Sequence, residues 1–101
     1  MNPSFPAALQ EPRIHETAVV SPAAQLAGDV RVGPYCIIGA DVVLGAGCQL
    51  ESHVRLDGPL RAGPGNHFFH GAAVGGVPQD LKYKGARTGV RLGAGNVIRE
   101  F

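Results

Sequence analysis

Val32-Gly33-Pro34-Tyr35-Cys36-Ile37-Ile38-Gly39-Ala40-Asp41-Val42-Val43-Leu44-Gly45-Ala46-Gly47-Cys48-Gln49-Leu50 carries one six-residue pattern three times over. An apolar residue stands at Val32, Ile38, Leu44 and Leu50. A glycine follows the first three of them, and a small apolar residue precedes each new hexad at Cys36, Val42 and Cys48. The beat extends in both directions. Ile14, Val20 and Leu26 lie upstream; Leu56, Ala62, Phe68 and Val74 lie downstream, all in the same register. The fifth position stays small or apolar from Ala18 and Ala24 through Val30, Val54, Leu60 and Ala72, with Asn66 and Pro78 as its two exceptions.

A helix cannot use this period. Six residues advance a helical face by about 240°, which smears the apolar stripe around the axis. Short strands joined by corners can use it. Three hexads then make one coil, and apolar residues eighteen apart stack as ladders with parallel hydrogen bonds between coils. The expected ladders are Ile14–Val32–Leu50–Phe68, Val20–Ile38–Leu56–Val74–Leu92 and Leu26–Leu44–Ala62. Glycine after the apolar residue is expected to serve the corner, where a tight bend favours backbone angles that a Cβ disfavours. The fold class is therefore all-β, a parallel β-helix of the hexapeptide-repeat solenoid type. Residues 1–13 lack the beat and form an extended lead-in. Residues 14–101 form the solenoid, with an inserted loop at 79–91. Leu92-Gly93-Ala94-Gly95-Asn96-Val97 resumes the pattern. Phe101 falls at the fourth position of its hexad, so the sequence is expected to be the N-terminal part of a longer solenoid, truncated before its last coils.

Composition narrows the function classes. Fifteen glycines and eight prolines beside 45% hydrophobic residues exclude both disorder and long helices. A net charge of +1 gives no general attraction to nucleic acid or an anionic membrane. No apolar run is long enough to span a bilayer, and Met1–Gln10 has neither a basic nor an apolar leader region. Cys36 and Cys48 both fall on the inward fifth position, which reads as buried apolar packing in a reducing, cytoplasmic setting. The inserted loop is different. From Gln79 to Arg91 it holds Lys82, Lys84, Arg87 and Arg91 against Asp80 alone, a balance suited to an anionic substrate. The competing reading is an ordinary solvated loop.

Val77-Pro78-Gln79-Asp80-Leu81-Lys82-Tyr83-Lys84-Gly85, followed by Thr88 and by Leu92-Gly93-Ala94-Gly95-Asn96-Val97-Ile98-Arg99-Glu100, resembles the signature of the UDP-N-acetylglucosamine O-acyltransferase family. Ile14-His15-Glu16-Thr17-Ala18-Val19-Val20, Val32-Gly33-Pro34-Tyr35-Cys36-Ile37-Ile38-Gly39 and Ser52-His53-Val54 are similar to the same family. The resemblance implies a left-handed coil, against the right-handed rule for parallel crossovers. It implies a homotrimer with sites in the grooves between subunits. It also implies transfer of a 3-hydroxyacyl group from acyl carrier protein to the sugar 3-hydroxyl, the first step of lipid A biosynthesis, without metal or cofactor. Gln79, Asp80 and Lys82 match the family's substrate-binding motif: the lysine suits a diphosphate or developing oxyanion, the aspartate a sugar hydroxyl. The family's general-base histidine lies several hexads past the Ile-Arg-Glu motif, so no catalytic residue is carried over and these 101 residues alone are expected to be inactive. Ala86 departs from the acid usual after the loop glycine. A related hexapeptide acyltransferase with another acceptor, and a non-catalytic solenoid, are the alternatives.

Four histidines remain. His15, His53, His67 and His70 occupy different hexad positions, and none stands five residues from another as in the zinc site of the related γ-class carbonic anhydrases. No metal site is expected; corner histidines bonding their own backbone are. His67 and His70 precede the loop and are candidates for lining a groove.

Overall fold

The computed structural model describes residues 12–75 and 89–99. Every element among them is a strand of two or three residues. Three parallel sheets form the three faces of a prism. The first face stacks Arg13–Ile14, Arg31–Val32, Gln49–Leu50, His67–Phe68 and Val97–Ile98. The second stacks Val19–Val20, Ile37–Ile38, Arg55–Leu56 and Ala73–Val74, and the third Gln25–Leu26, Val42–Leu44, Leu60–Ala62 and Val90–Leu92. Two inward residues per hexad fill the interior. Val30, Cys36, Val42, Cys48, Val54, Leu60 and Ala72 make one set, and Val32, Ile38, Leu44, Leu50, Leu56 and Phe68 the other; all are buried. Each buried valine, leucine, isoleucine or phenylalanine contributes roughly 1.5–3 kcal/mol by leaving water, which is how these short strands gain a core.

The hexad ladders form as expected from Ile14 to Phe68, from Val20 to Val74 and from Leu26 to Ala62. One assignment is corrected. Leu92 pairs with Ala62 on the third face, and Ile98 with Phe68 on the first, so Leu92 does not continue the ladder above Val74. Leu92 stands thirty residues after Ala62 where an uninterrupted coil uses eighteen, so the loop adds twelve residues to a single corner rather than replacing a coil. Spacing by eighteen from Val74 misplaced it because the corner leads to the next face, not back to the same one. Val90 and Arg91, expected inside the loop, already pair with Leu60 and Arg61.

The role of glycine is also corrected. Of the glycines following an apolar ladder residue, only Gly75 has positive φ. Gly33 and Gly45 are required by crowding instead: a Cβ there would lie 2.8 Å from backbone atoms of the next coil, Glu51 O and Gly63 C respectively. The left-handed backbone sits two residues further on, at Tyr35, Asp41, Gly47, His53, Gly65, Gly71 and Gly95. There the amide turns toward the preceding coil. Gly47 N–H donates to Asp29 Oδ1 at 2.8 Å, Tyr35 N–H to Thr17 Oγ1 at 2.8 Å, and His53 N–H to Pro34 O at 3.0 Å. Each bond satisfies a donor that a corner would otherwise leave unpaired.

Candidate functional site

The loop leaves the prism from the second face and returns on the third. Its exit is Gly75, at φ +86°, where a Cβ would collide with the carbonyl oxygen of Asp57. Its return is Gly89, packed on Pro59, and Val90, whose amide donates to Pro59 O at 3.0 Å. Gln79, Asp80, Lys82, Lys84 and Arg87 lie outside the described residues. At the foot of the return, Asp41, Pro59, Arg61, Gly89, Val90 and Arg91 line an open cleft of about 420 Å³.

Asn66 holds the coil at this junction together. It is the one buried polar residue among those described. Its Nδ2 donates to Gly63 O at 2.8 Å and to Gly93 O at 2.7 Å, while its Oδ1 accepts from Asn96 N–H at 2.8 Å. The side chain thus bonds one coil to the coil that follows the loop. An apolar residue at this inward position could not do so, because the two carbonyls and the amide need polar partners. The exception in the fifth column was its sequence signature.

The histidines are engaged. His15 Nδ1 accepts from Thr17 N–H at 3.2 Å and meets its hydroxyl at 2.9 Å, the expected corner bond to backbone, whereas His67 and His70 meet side chains instead. His70 Nδ1 lies 2.7 Å from Ser52 Oγ, and its ring meets His53 edge-on at 5.3 Å. These two do not share a ladder, yet seventeen residues bring them to the same corner one coil apart. On the first face, His67 Nε2 lies 2.8 Å from Glu51 Oε2 and the ring stacks on Phe69, over which Arg99 sits 4.5 Å from the centroid. Among the described residues no three His, Cys, Asp or Glu side chains are grouped to hold a metal. Cys36 and Cys48 are free, buried thiols donating to Glu51 O and Gly63 O; desolvation pushes both up from their ordinary value of 9.0. They are inert packing groups, as the fifth-position pattern indicated. No helix among the described residues is long and apolar enough to cross a membrane.

Comparison with known proteins matches this architecture. Residues 11–46 fit the bacterial transferase hexapeptide repeat (six repeats). The chain is a left-handed β-helix built of hexapeptide repeats. It is 52% identical over 87 residues to the acyl-[acyl-carrier-protein]–UDP-N-acetylglucosamine O-acyltransferase of Saccharophagus degradans, covering 86% of this chain and 34% of that protein. The protein of the same name from Xanthomonas euvesicatoria is 56% identical over 90 residues, covering 89% and 34%. The solved structure of LpxA from Acinetobacter baumannii superposes with a TM-score of 0.80 at 53% identity, covering 86% and 34% of the two chains. That of the Francisella novicida UDP-N-acetylglucosamine acyltransferase gives 0.78 at 38%, covering 86% and 32%. Over its matched length the chain is similar to UDP-N-acetylglucosamine O-acyltransferases, and it spans about a third of the length of the curated relatives it matches.

Proposed function

We propose that this chain contributes the acceptor-binding loop of an acyltransferase moving a 3-hydroxyacyl group from acyl carrier protein to the 3-hydroxyl of UDP-N-acetylglucosamine, the first step of lipid A biosynthesis. The observation that carries the reading is the match to proteins of that name. A match of 87 residues in a chain of 101 takes in Gln79, Asp80 and Lys82 wherever it begins. In this reading Lys82 meets the diphosphate or the oxygen that gains charge, Asp80 orients a sugar hydroxyl, and Gln79 completes the set. The excess of cations from Gln79 to Arg91 draws the anionic nucleotide sugar toward the loop.

The chemistry needs a base near neutral pH to take the hydroxyl proton. In this reading none of the four histidines of the 101 residues serves as that base, and the chain binds rather than turns over. The sites lie in grooves of a homotrimer acting in the cytoplasm. No metal or other cofactor enters the reaction. Titration of the chain with UDP-N-acetylglucosamine, followed by amide chemical shifts, tests the binding half. Saturable shifts lost in Asp80→Asn and Lys82→Ala support it; no shift, or shifts indifferent to both changes, contradict it.

A further inference from the structure

The third face carries a feature that the acyltransferase reading leaves unused. Arg61 and Arg91 are direct partners in its parallel ladder. Arg61 sits between the inward Leu60 and Ala62, and Arg91 between Val90 and Leu92, both of which pack against the core; both arginines are exposed. Alternation along a strand therefore sends both side chains out of the prism on the same side, from backbones about 4.8 Å apart. Like charges directly opposite each other destabilise a sheet. Two other arginines have companions, Arg55 with its Nε 3.0 Å from Asp57 Oδ2 and Arg99 over the Phe69 ring, while Arg13 and Arg31 are ladder partners on the first face near Glu51. Among the described residues neither Arg61 nor Arg91 is paired with a carboxylate. Instead both line the 420 Å³ cleft at the foot of the loop, walled by Pro59, Gly89 and Val90. Asp41, the one carboxylate lining it among the described residues, has an interaction of its own.

We propose that Arg61 and Arg91 form a binding site for a phosphoryl group in this cleft. Guanidinium forks match phosphate oxygens two at a time, and two forks one ladder rung apart can grip a single tetrahedral group from adjacent sides. Bound, the anion removes the repulsion that the paired arginines suffer alone. The rest of the outward column, Gln25 and Val43, is uncharged, so within this column the positive charge sits on one rung. That confinement suits a small anion rather than an extended acidic protein. The inference uses none of Gln79, Asp80 or Lys82 and shares with the acyltransferase reading only Arg91, one of the cations that reading counts. The phosphoryl group can come from free phosphate or from a nucleotide.

The test titrates the 101-residue chain at low ionic strength with inorganic phosphate and, separately, with UDP, following arginine Nε–Hε signals and thermal unfolding. Both Arg61 and Arg91 signals shift saturably, and the unfolding temperature rises with phosphate. Arg61→Gln and Arg91→Gln each weaken binding about tenfold, the scale of one charge-assisted hydrogen bond. Arg55→Gln on the second face leaves binding intact. If either glutamine variant unfolds, the lysine variant, which keeps charge without the fork, shows an intermediate loss. UDP binding tighter than phosphate assigns the nucleotide as source; equal affinity assigns free phosphate. Absence of saturable shifts at both arginines, their survival in the double glutamine variant, or equal weakening by Arg55→Gln overturns the site.

Discussion

Replacing Asn66 with alanine tests how the solenoid survives the insertion of a loop into one corner. The substitution removes the bonds to Gly63 O and Gly93 O and the bond from Asn96 N–H. Each intramolecular hydrogen bond contributes about 1 kcal/mol net. Gly93 and Asn96 are exposed, so water replaces part of what they lose, whereas Gly63 is only partly exposed. The expected cost is therefore about 2–3 kcal/mol rather than more. Its location matters as much as its size. In a solenoid each coil touches only its neighbours, so the loss concentrates in the coil after the loop. Amide hydrogen exchange reads this residue by residue. Protection of Asn96 N–H and of Phe69 N–H, which donates to Ile98 O at 2.7 Å, falls about thirty- to one-hundred-and-fiftyfold. Protection of Arg31 N–H, bonded to Cys48 O, stays within a few-fold. Uniform loss across all coils, or unchanged exchange at Asn96, refutes the clip.

Other expectations follow from single residues. Gly75→Ala meets both a positive φ and the Asp57 carbonyl, so it destabilises by about 1–3 kcal/mol, read as a lower urea midpoint with an unchanged slope. Phe68→Ala, emptying a fully buried site between Leu50 and Ile98, costs about 3–5 kcal/mol in the same assay. The thiols of Cys36 and Cys48 titrate higher folded than unfolded, so the folded state holds their protons longer. Their contribution to stability is present in full below pH 9.0 and declines as pH rises above it. Alkylation by a maleimide at pH 8 is accordingly slow until denaturant is added; rapid labelling of the native chain contradicts their burial. In a thioester-consumption assay with acyl carrier protein and UDP-N-acetylglucosamine, the 101-residue chain shows no turnover, and measurable transfer contradicts the assignment of its histidines.

The solenoid was legible because a period of six is incompatible with a helix and because its apolar residues repeat without interruption. Ile14, Val32, Leu50 and Phe68 could be stacked on paper and stack in the molecule. What failed was arithmetic across the loop: Leu92 continues Ala62, since twelve extra residues preserve the beat while changing the face. The glycine pattern was legible but its cause was not. Close approach of coils at Gly33 and Gly45 is invisible in one strand's sequence, and Tyr35, Asp41 and His53 hold left-handed backbone without glycine's help. Asn66 appeared as a flaw in a column and is the one buried polar residue among those described. The pairing of Arg61 with Arg91 was hidden for the same reason as Leu92: it depends on the register across the loop.

Deletion of residues 77–88 tests most directly the claim that a substrate-binding loop is inserted into one corner of a continuous ladder. It leaves Gly75-Gly76-Gly89-Val90-Arg91-Leu92, a complete hexad following Val74. The shortened protein stays folded, with Gly63 N–H bonded to Leu92 O and protected from exchange, while UDP-N-acetylglucosamine binds no more tightly than UDP. Collapse of that bond, or a preference for the nucleotide sugar over UDP that survives the deletion, contradicts this.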